Sequence, residues 1–216
     1  MKVAVLCLVR CSENLLFFVI HVIFPLVVFD LGLLKIIRKI KKTEKEMRLL
    51  MLGLDNAGKT TVLMTFCGDD ISEIPPTVGF NIKTVSVRDF KVNIWDVGGQ
   101  KSIRSFWRNY FDTTDGLVWV VDSTDRHRLL DCKRELAVVL GEEKLRGSSL
   151  LILANKQDLH SALSLEDIAK VLELDTIKSS RECAVYSCSA LDGGSVHKAL
   201  DWIIDDIGSR MYSLRY

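Results

Sequence analysis

The chain has 216 residues, enough to bury one sizeable core without disulfides or a metal. With 29 Lys and Arg against 28 Asp and Glu, its net charge of +1 excludes a general nucleic-acid binder and an acidic solvating tail. A hydrophobic share of 48% with three prolines excludes a disordered or collagen-like chain. Along the chain, an apolar run of fifteen residues comes first, Leu15–Phe29, interrupted by His21 and Pro25. A spanning helix needs about 20 residues, and no A-x-A-like cleavage site follows. From Gly32 to Lys42, Leu33, Ile36, Ile37 and Ile40 recur at helical spacing. Lys35, Arg38, Lys39, Lys41 and Lys42 fill most of the other positions. That pattern predicts an amphipathic helix with a basic face, either a membrane-surface segment or an ordinary helix packed on its own domain.

Beyond Glu46 strands and helices alternate. Strands are expected at Met47–Leu52, Leu117–Val121, Leu150–Ala154 and Ala184–Ser189, and a hairpin at Phe80–Val87 and Lys91–Val97 around Arg88-Asp89-Phe90. Helices are expected at Lys59–Phe66, Arg128–Leu140 and Val196–Met211, with another running from the Ser164/Asp167 capping box to Leu172. This alternation predicts an α/β layer fold on a mostly parallel sheet. Cys7, Cys11, Cys67, Cys132, Cys183 and Cys188 form no CxxC pair, and His21, His127, His160 and His197 are scattered. We read them as free thiols in a reducing compartment and as non-ligating histidines.

Four motifs carry chemistry. Gly53-Leu54-Asp55-Asn56-Ala57-Gly58-Lys59-Thr60, followed by Thr61, matches GxxxxGK(S/T) between a predicted strand and a predicted helix. Its backbone N–H groups curl round a phosphate, Lys59 reaches the β- and γ-phosphates, and the Thr60 hydroxyl ligates Mg²⁺. Asp96-Val97-Gly98-Gly99-Gln100 ends a strand. There Asp96 is expected to hold Mg²⁺ through water, Gly99 to offer an N–H to a γ-phosphate, and Gln100 to orient the attacking water. Alone this motif is weak, because Asp-Gly pairs also make plain turns; its place after a phosphate loop gives it meaning. Asn155-Lys156-Gln157-Asp158 follows a strand, and a buried Asp158 carboxylate would accept from N1–H and N2–H₂ of guanine. Adenine lacks both donors, so rejecting it rests on several kcal/mol, about 10⁴-fold. Ser189-Ala190 stands where a backbone N–H reaches the guanine O6. Thr77, in a proline-containing loop, is placed to give Mg²⁺ a second hydroxyl and to order that loop when a γ-phosphate is present.

Together these residues resemble the small GTPases of the ADP-ribosylation-factor (Arf) family. The marks are GLDNAGKTT, PTVGFN and WDVGGQ, and the runs RLLMLGLDNAGKTT, NIWDVGGQKSIRSFWRNYF and LANKQDL are most similar to the second Arf-like subclass. The resemblance implies an α/β P-loop G domain: a six-stranded, mostly parallel sheet with one antiparallel hairpin strand and five helices, binding GTP or GDP with Mg²⁺. It implies switches at 70–80 and 98–113, a hairpin that slides between nucleotide states, and an exposed aromatic triad, Phe80, Trp95 and Tyr110, read by effectors. It further implies activating and exchange factors, tubulin-folding cofactors (cofactor D in particular) and carriers of lipidated cargo as partners, and a monomer that binds no nucleic acid. No matched motif supplies an arginine finger in cis, so intrinsic hydrolysis should be slow.

The resemblance divides the chain into an atypical extension at 1–31, an amphipathic segment at 32–45 and the G domain at 46–216. Family members begin Met-Gly-Leu-Leu, whereas here Leu31 precedes Gly32, and Ile36 stands where an acylation signal wants Ser or Thr. We expect residues 1–31 to come from an alternative first exon or a mis-assigned start. In that case the protein is cytoplasmic, with peripheral-membrane, cytoskeletal or mitochondrial association open. If 1–31 are translated, Leu15–Phe29 becomes a membrane anchor. The rival functional reading is a membrane-tethered, nucleotide-locked scaffold, against which intact Gln100 and Thr77 argue.

Overall fold

The computed structural model describes residues 45–213. The expectations for the apolar run and the basic amphipathic segment fall outside these residues. Six strands form one sheet: β1 (Glu46–Leu52), β2 (Phe80–Val87), β3 (Phe90–Val97), β4 (Gly116–Asp122), β5 (Ser149–Asn155) and β6 (Cys183–Ser187). Their order is β2-β3-β1-β4-β5-β6. Only the β2–β3 hairpin is antiparallel, pairing Phe80 with Val97 and Val87 with Phe90. Among the described residues five α-helices accompany the sheet: α1 (Lys59–Cys67), α2 (Leu129–Leu140), α3 (Leu165–Val171), α4 (Leu174–Lys178) and α5 (Gly193–Ser213).

The central strands read as continuous apolar runs because helices cover both faces of the sheet. In β1, Leu49 and Met51 pack with Val62 and Leu63 of α1 and with Leu200 and Ile203 of α5. Leu50 and Leu52 face the opposite core, with Trp119 and with Leu136 of α2. β2 lies at the sheet edge and alternates exposed with half-buried residues along its length. Parallel order brings the C-terminal ends of β1, β3, β4 and β5 to one edge, where the crossover loops collect.

Three local features depart from the sequence reading. β6 ends at Ser187, two residues early. Cys188 N–H still donates to Ala154 O at 3.0 Å, but the chain then turns, with Asp192 N–H on Ser189 O. The short α4, one turn of five residues, was not anticipated. A 3₁₀ segment, Arg104–Tyr110, occupies the expected second switch. Its buried Trp107 donates to Gly98 O at 2.9 Å and meets Trp119 edge to face. The capping expectation holds at α3, where Ser164 accepts from Asp167 N–H. Among the described residues no helix is long and apolar enough to cross a membrane.

Candidate functional site

β1 stops at Leu52 and α1 starts at Lys59, so residues 53–58 form a loop that wraps a cleft. Gly53 takes φ +144°, and a Cβ there would meet Val120 O at 2.2 Å. The motif therefore begins with glycine because the loop leaves β1 across the backbone of β4. Asp55, Asn56, Gly58, Lys59, Thr60 and Thr61 line a cleft of about 360 Å³. Ile74, Pro75, Pro76, Thr77, Gly98, Gly99 and Gln100 complete its walls. Three sequence-distant motifs thus meet in one cavity at the N-terminus of α1, where N–H groups and the helix dipole favour an anion. Gly98 N–H donates to Gly79 O at 2.9 Å, joining the two expected switches.

Lys59 is buried, and its Nζ donates to Gly53 O at 3.0 Å and Leu54 O at 2.8 Å. Two carbonyls occupy the ammonium where phosphate oxygens were expected. Burial pushes its pKa down to about 8, against the opposing charges of Asp96 and Asp55. Thr60 Oγ1 lies 2.7 Å from Thr77 Oγ1 and donates to Asp96 Oδ2 at 2.7 Å. Asn81 Nδ2 reaches the same oxygen at 3.4 Å. Asp96 is fully buried, and its Oδ1 has no hydrogen-bond partner. A buried carboxylate with one orphaned oxygen beside two hydroxyls is the donor set of a hard divalent cation such as Mg²⁺.

Asp55 lines the cleft, and its carboxylate turns onto Arg128 Nη1 at 3.0 Å and Arg104 Nη2 at 3.4 Å. Burial pushes this carboxyl up, but the hydrogen bond and charge of Arg128, with Arg104 beside it, outweigh that and hold it below its usual range. Arg128 lies in none of the motifs and Arg104 only within the run NIWDVGGQKSIRSFWRNYF, and the sequence reading assigned a role to neither.

The base-side motifs assemble around Asn155. Its Nδ2 donates to Ala57 O at 2.8 Å, and its Oδ1 accepts from Ala190 N–H at 2.8 Å. Of the two N–H groups that Ser189-Ala190 offers towards guanine O6, that of Ala190 is therefore donated to Asn155 in this conformation. Lys156 Nζ donates to Asp122 Oδ2 at 2.6 Å. Burial raises the Asp122 carboxyl, but Lys156 and Thr124 more than compensate and depress it. Asp158 is exposed, not buried as anticipated, because it follows the end of β5 in a turn. Its desolvation would come from a bound base. Ser189 Oγ accepts from Leu191 N–H, shaping the same loop.

Phe80, Trp95 and Tyr110 do come together, with ring centroids 5.3–5.9 Å apart. Only Phe80 is exposed; Trp95 and Tyr110 are half-buried, and the Arg48 guanidinium covers Trp95 at 4.0 Å. Val78, Ile82 and Phe106 are further exposed apolar residues of these segments. Among the described residues no group of three His, Cys, Asp or Glu could hold a metal, and Cys67, Cys132, Cys183 and Cys188 are free thiols.

Comparison with known proteins places the chain in a family. The model of the ADP-ribosylation factor family matches residues 33–207. The chain is 59% identical over 184 residues to an ADP-ribosylation factor-like protein 2 of Arabidopsis thaliana, across 85% of this chain and 100% of the relative. It is 52% identical to the protein of that name from Drosophila melanogaster, with the same coverage. Its fold is similar to that of the Arl6 BBS3 small GTPase of Trypanosoma brucei with the bound nucleotide analogue GppNp. The TM-score there is 0.71 at 30% identity, over 76% of this chain and 98% of that one.

Proposed function

Because the chain belongs to the ADP-ribosylation factor family and is an Arf-like small GTPase, a GTP-binding switch, we propose that residues 53–61, 77, 96–100, 155–158 and 189–190 are its nucleotide site. The observation that carries this reading is the convergence of Thr60, Thr77 and Asp96 at the mouth of the phosphate loop. Lys59 exchanges the carbonyls of Gly53 and Leu54 for phosphate oxygens. Thr77 and Gly99 close on the γ-phosphate from two sides, and Gln100 orients the attacking water. Thr60 and Thr77 would hold Mg²⁺, with Asp96 acting through water; when bound, the ion would supply positive charge against the negative charge developing on the phosphates. Asp158 reads guanine.

In this reading the chain times a signal. An activating protein's arginine typically adds about 10³ to 10⁵ in rate, or roughly 4–7 kcal/mol of barrier. Effectors read Phe80 together with the exposed Val78, Ile82 and Phe106. Tubulin-folding cofactors, cofactor D foremost, and carriers of lipidated cargo are the partners we propose, with action in the cytoplasm. The resemblance to the second Arf-like subclass supports this.

The test is single-turnover hydrolysis of preloaded GTP, with and without cell extract, by the native chain and Gln100→Leu. We expect stimulated hydrolysis by the native chain, its loss in Gln100→Leu, and nucleotide binding unchanged. Equal loss of binding and hydrolysis would remove Gln100 from the chemistry.

A further inference from the structure

Gln100 sits between two peptide planes, and both are pinned. The carbonyl of Gln100 accepts from Ile103 N–H at 2.8 Å. The carbonyl of Gly99, which shares a peptide plane with the Gln100 N–H, accepts from Arg104 Nε at 2.9 Å. Arg104 is the first residue of the 3₁₀ segment, and its side chain is only 14% exposed. Its other nitrogens are also engaged: Nη1 donates to Glu135 of α2 at 2.8 Å, and Nη2 reaches Asp55 of the phosphate loop at 3.4 Å. Asp55 is itself anchored by Arg128 at the start of α2. One planar guanidinium thus fastens the backbone before Gln100 to two fixed carboxylates.

Resting on the assignment of Gln100 above, we propose that Arg104 is a positioning residue for GTP hydrolysis. It touches no reacting atom. It sets the direction in which the Gln100 side chain leaves the backbone, and it ties that direction to the phosphate loop through Asp55. Without the Nε bond the Gly99–Gln100 peptide is free to rotate, and a misplacement of about 1 Å at a catalytic group lowers a rate about a hundredfold. Lysine cannot substitute, because a single ammonium does not reproduce a planar fork that serves a carbonyl and two carboxylates at once. Most of the GTP contacts proposed above lie on other groups: the phosphate-loop N–H donors, Lys59, Thr77 and the base loops.

The experiment measures single-turnover hydrolysis and GTP dissociation for the full chain, Arg104→Ala, Arg104→Lys, Gln100→Ala and the Arg104→Ala/Gln100→Ala double variant. Arg104→Lys keeps charge and stem, so it stays informative if Arg104→Ala does not fold. We expect both Arg104 variants to hydrolyse about tenfold to a hundredfold more slowly, with GTP dissociation changed less than about twofold. We also expect no further loss when Arg104→Ala is added to Gln100→Ala, since residues that act as a unit are non-additive. A native rate in either folded Arg104 variant overturns the proposal. So do losses that multiply in the double variant, or dissociation that accelerates in step with the lost rate. If instead Gln100→Ala itself keeps the native rate, the assignment of Gln100 falls first, and this inference falls with it.

Discussion

Gly99→Ala tests the closed arrangement of the switches most directly. A Cβ built at Gly99 would lie 2.3 Å from Gly53 O, 2.4 Å from Leu54 C and 2.5 Å from Asp55 N. Ordinary contacts begin near 3.5 Å, so the methyl overlaps three backbone atoms by about 1 Å each. Overpacking against movable side chains costs about 1–3 kcal/mol. Here the obstacles are the phosphate loop itself, so about 3 kcal/mol is a lower bound. At 1.4 kcal/mol per decade, the closed form becomes about a hundredfold rarer or worse. A ligand that requires that form loses affinity by the same factor. In the proposed function only the triphosphate asks for Gly99 against the loop, and with GDP the 98–113 segment would swing outward and relieve the overlap. We therefore expect a GTP analogue to bind about a hundredfold more weakly, and GDP less than about tenfold. The assay is equilibrium titration with fluorescent nucleotides, with a thermal melt in GDP as the check on folding. Native affinity for the analogue would refute the steric argument. An equal loss for both nucleotides would show that Gly99 supports the phosphate loop and does not sense the third phosphate.

Asn155→Ala removes the bonds to Ala57 O and Ala190 N–H and leaves both buried groups unpaired. At about 1–3 kcal/mol for each, chemical denaturation should show a loss of about 2–6 kcal/mol, and a loss under about 1 kcal/mol would contradict the clamp. Asp158→Asn should relax the preference for GTP over ATP in competition binding; unchanged selectivity removes Asp158 from the base pocket. Lys59 adds a pH dependence. Burial brings its pKa from 10.5 to about 8 in the free protein, so between these values the folded chain binds fewer protons than the unfolded one. Stability of the nucleotide-free protein therefore rises with pH across that window. Phosphate binding needs the charged ammonium, so affinity should fall by up to about tenfold per pH unit above 8, with proton uptake visible by calorimetry in two buffers. Lys59→Met should bind weakly and show no such slope; a native chain without proton uptake at pH 8.5 would refute the shift.

The sequence was informative where one local constraint decides the structure. A phosphate loop needs glycine where Gly53 crosses the backbone of β4, so the motif announced both loop and helix. Double-sided burial made β4 and β5 unbroken apolar runs. What stayed hidden depends on tertiary contacts. The one-turn α4 is too short to show a period. The aromatic triad was expected to be exposed, yet Trp95 is covered by Arg48, a residue of β1 that becomes its neighbour only through the parallel pairing of β1 with β3.

Arg104 and Arg128 are the clearest case of this limit. Composition alone gives no reason to single out two arginines among 29 basic residues. Their meaning arises when the crossover brings Asp55, Glu135 and the Gly99 carbonyl within reach of one planar group. The one hint in the sequence is Asp55 itself. A carboxylate inside an anion-binding loop raises the local negative potential and opposes phosphate, so it calls for a cation to neutralise it. The structure supplies two, and one of them also holds the backbone of Gln100. The unfavourable charge in the phosphate loop thus doubles as an anchor for the backbone of Gln100, the residue we propose orients water, and the two motifs are joined through a residue that neither contains.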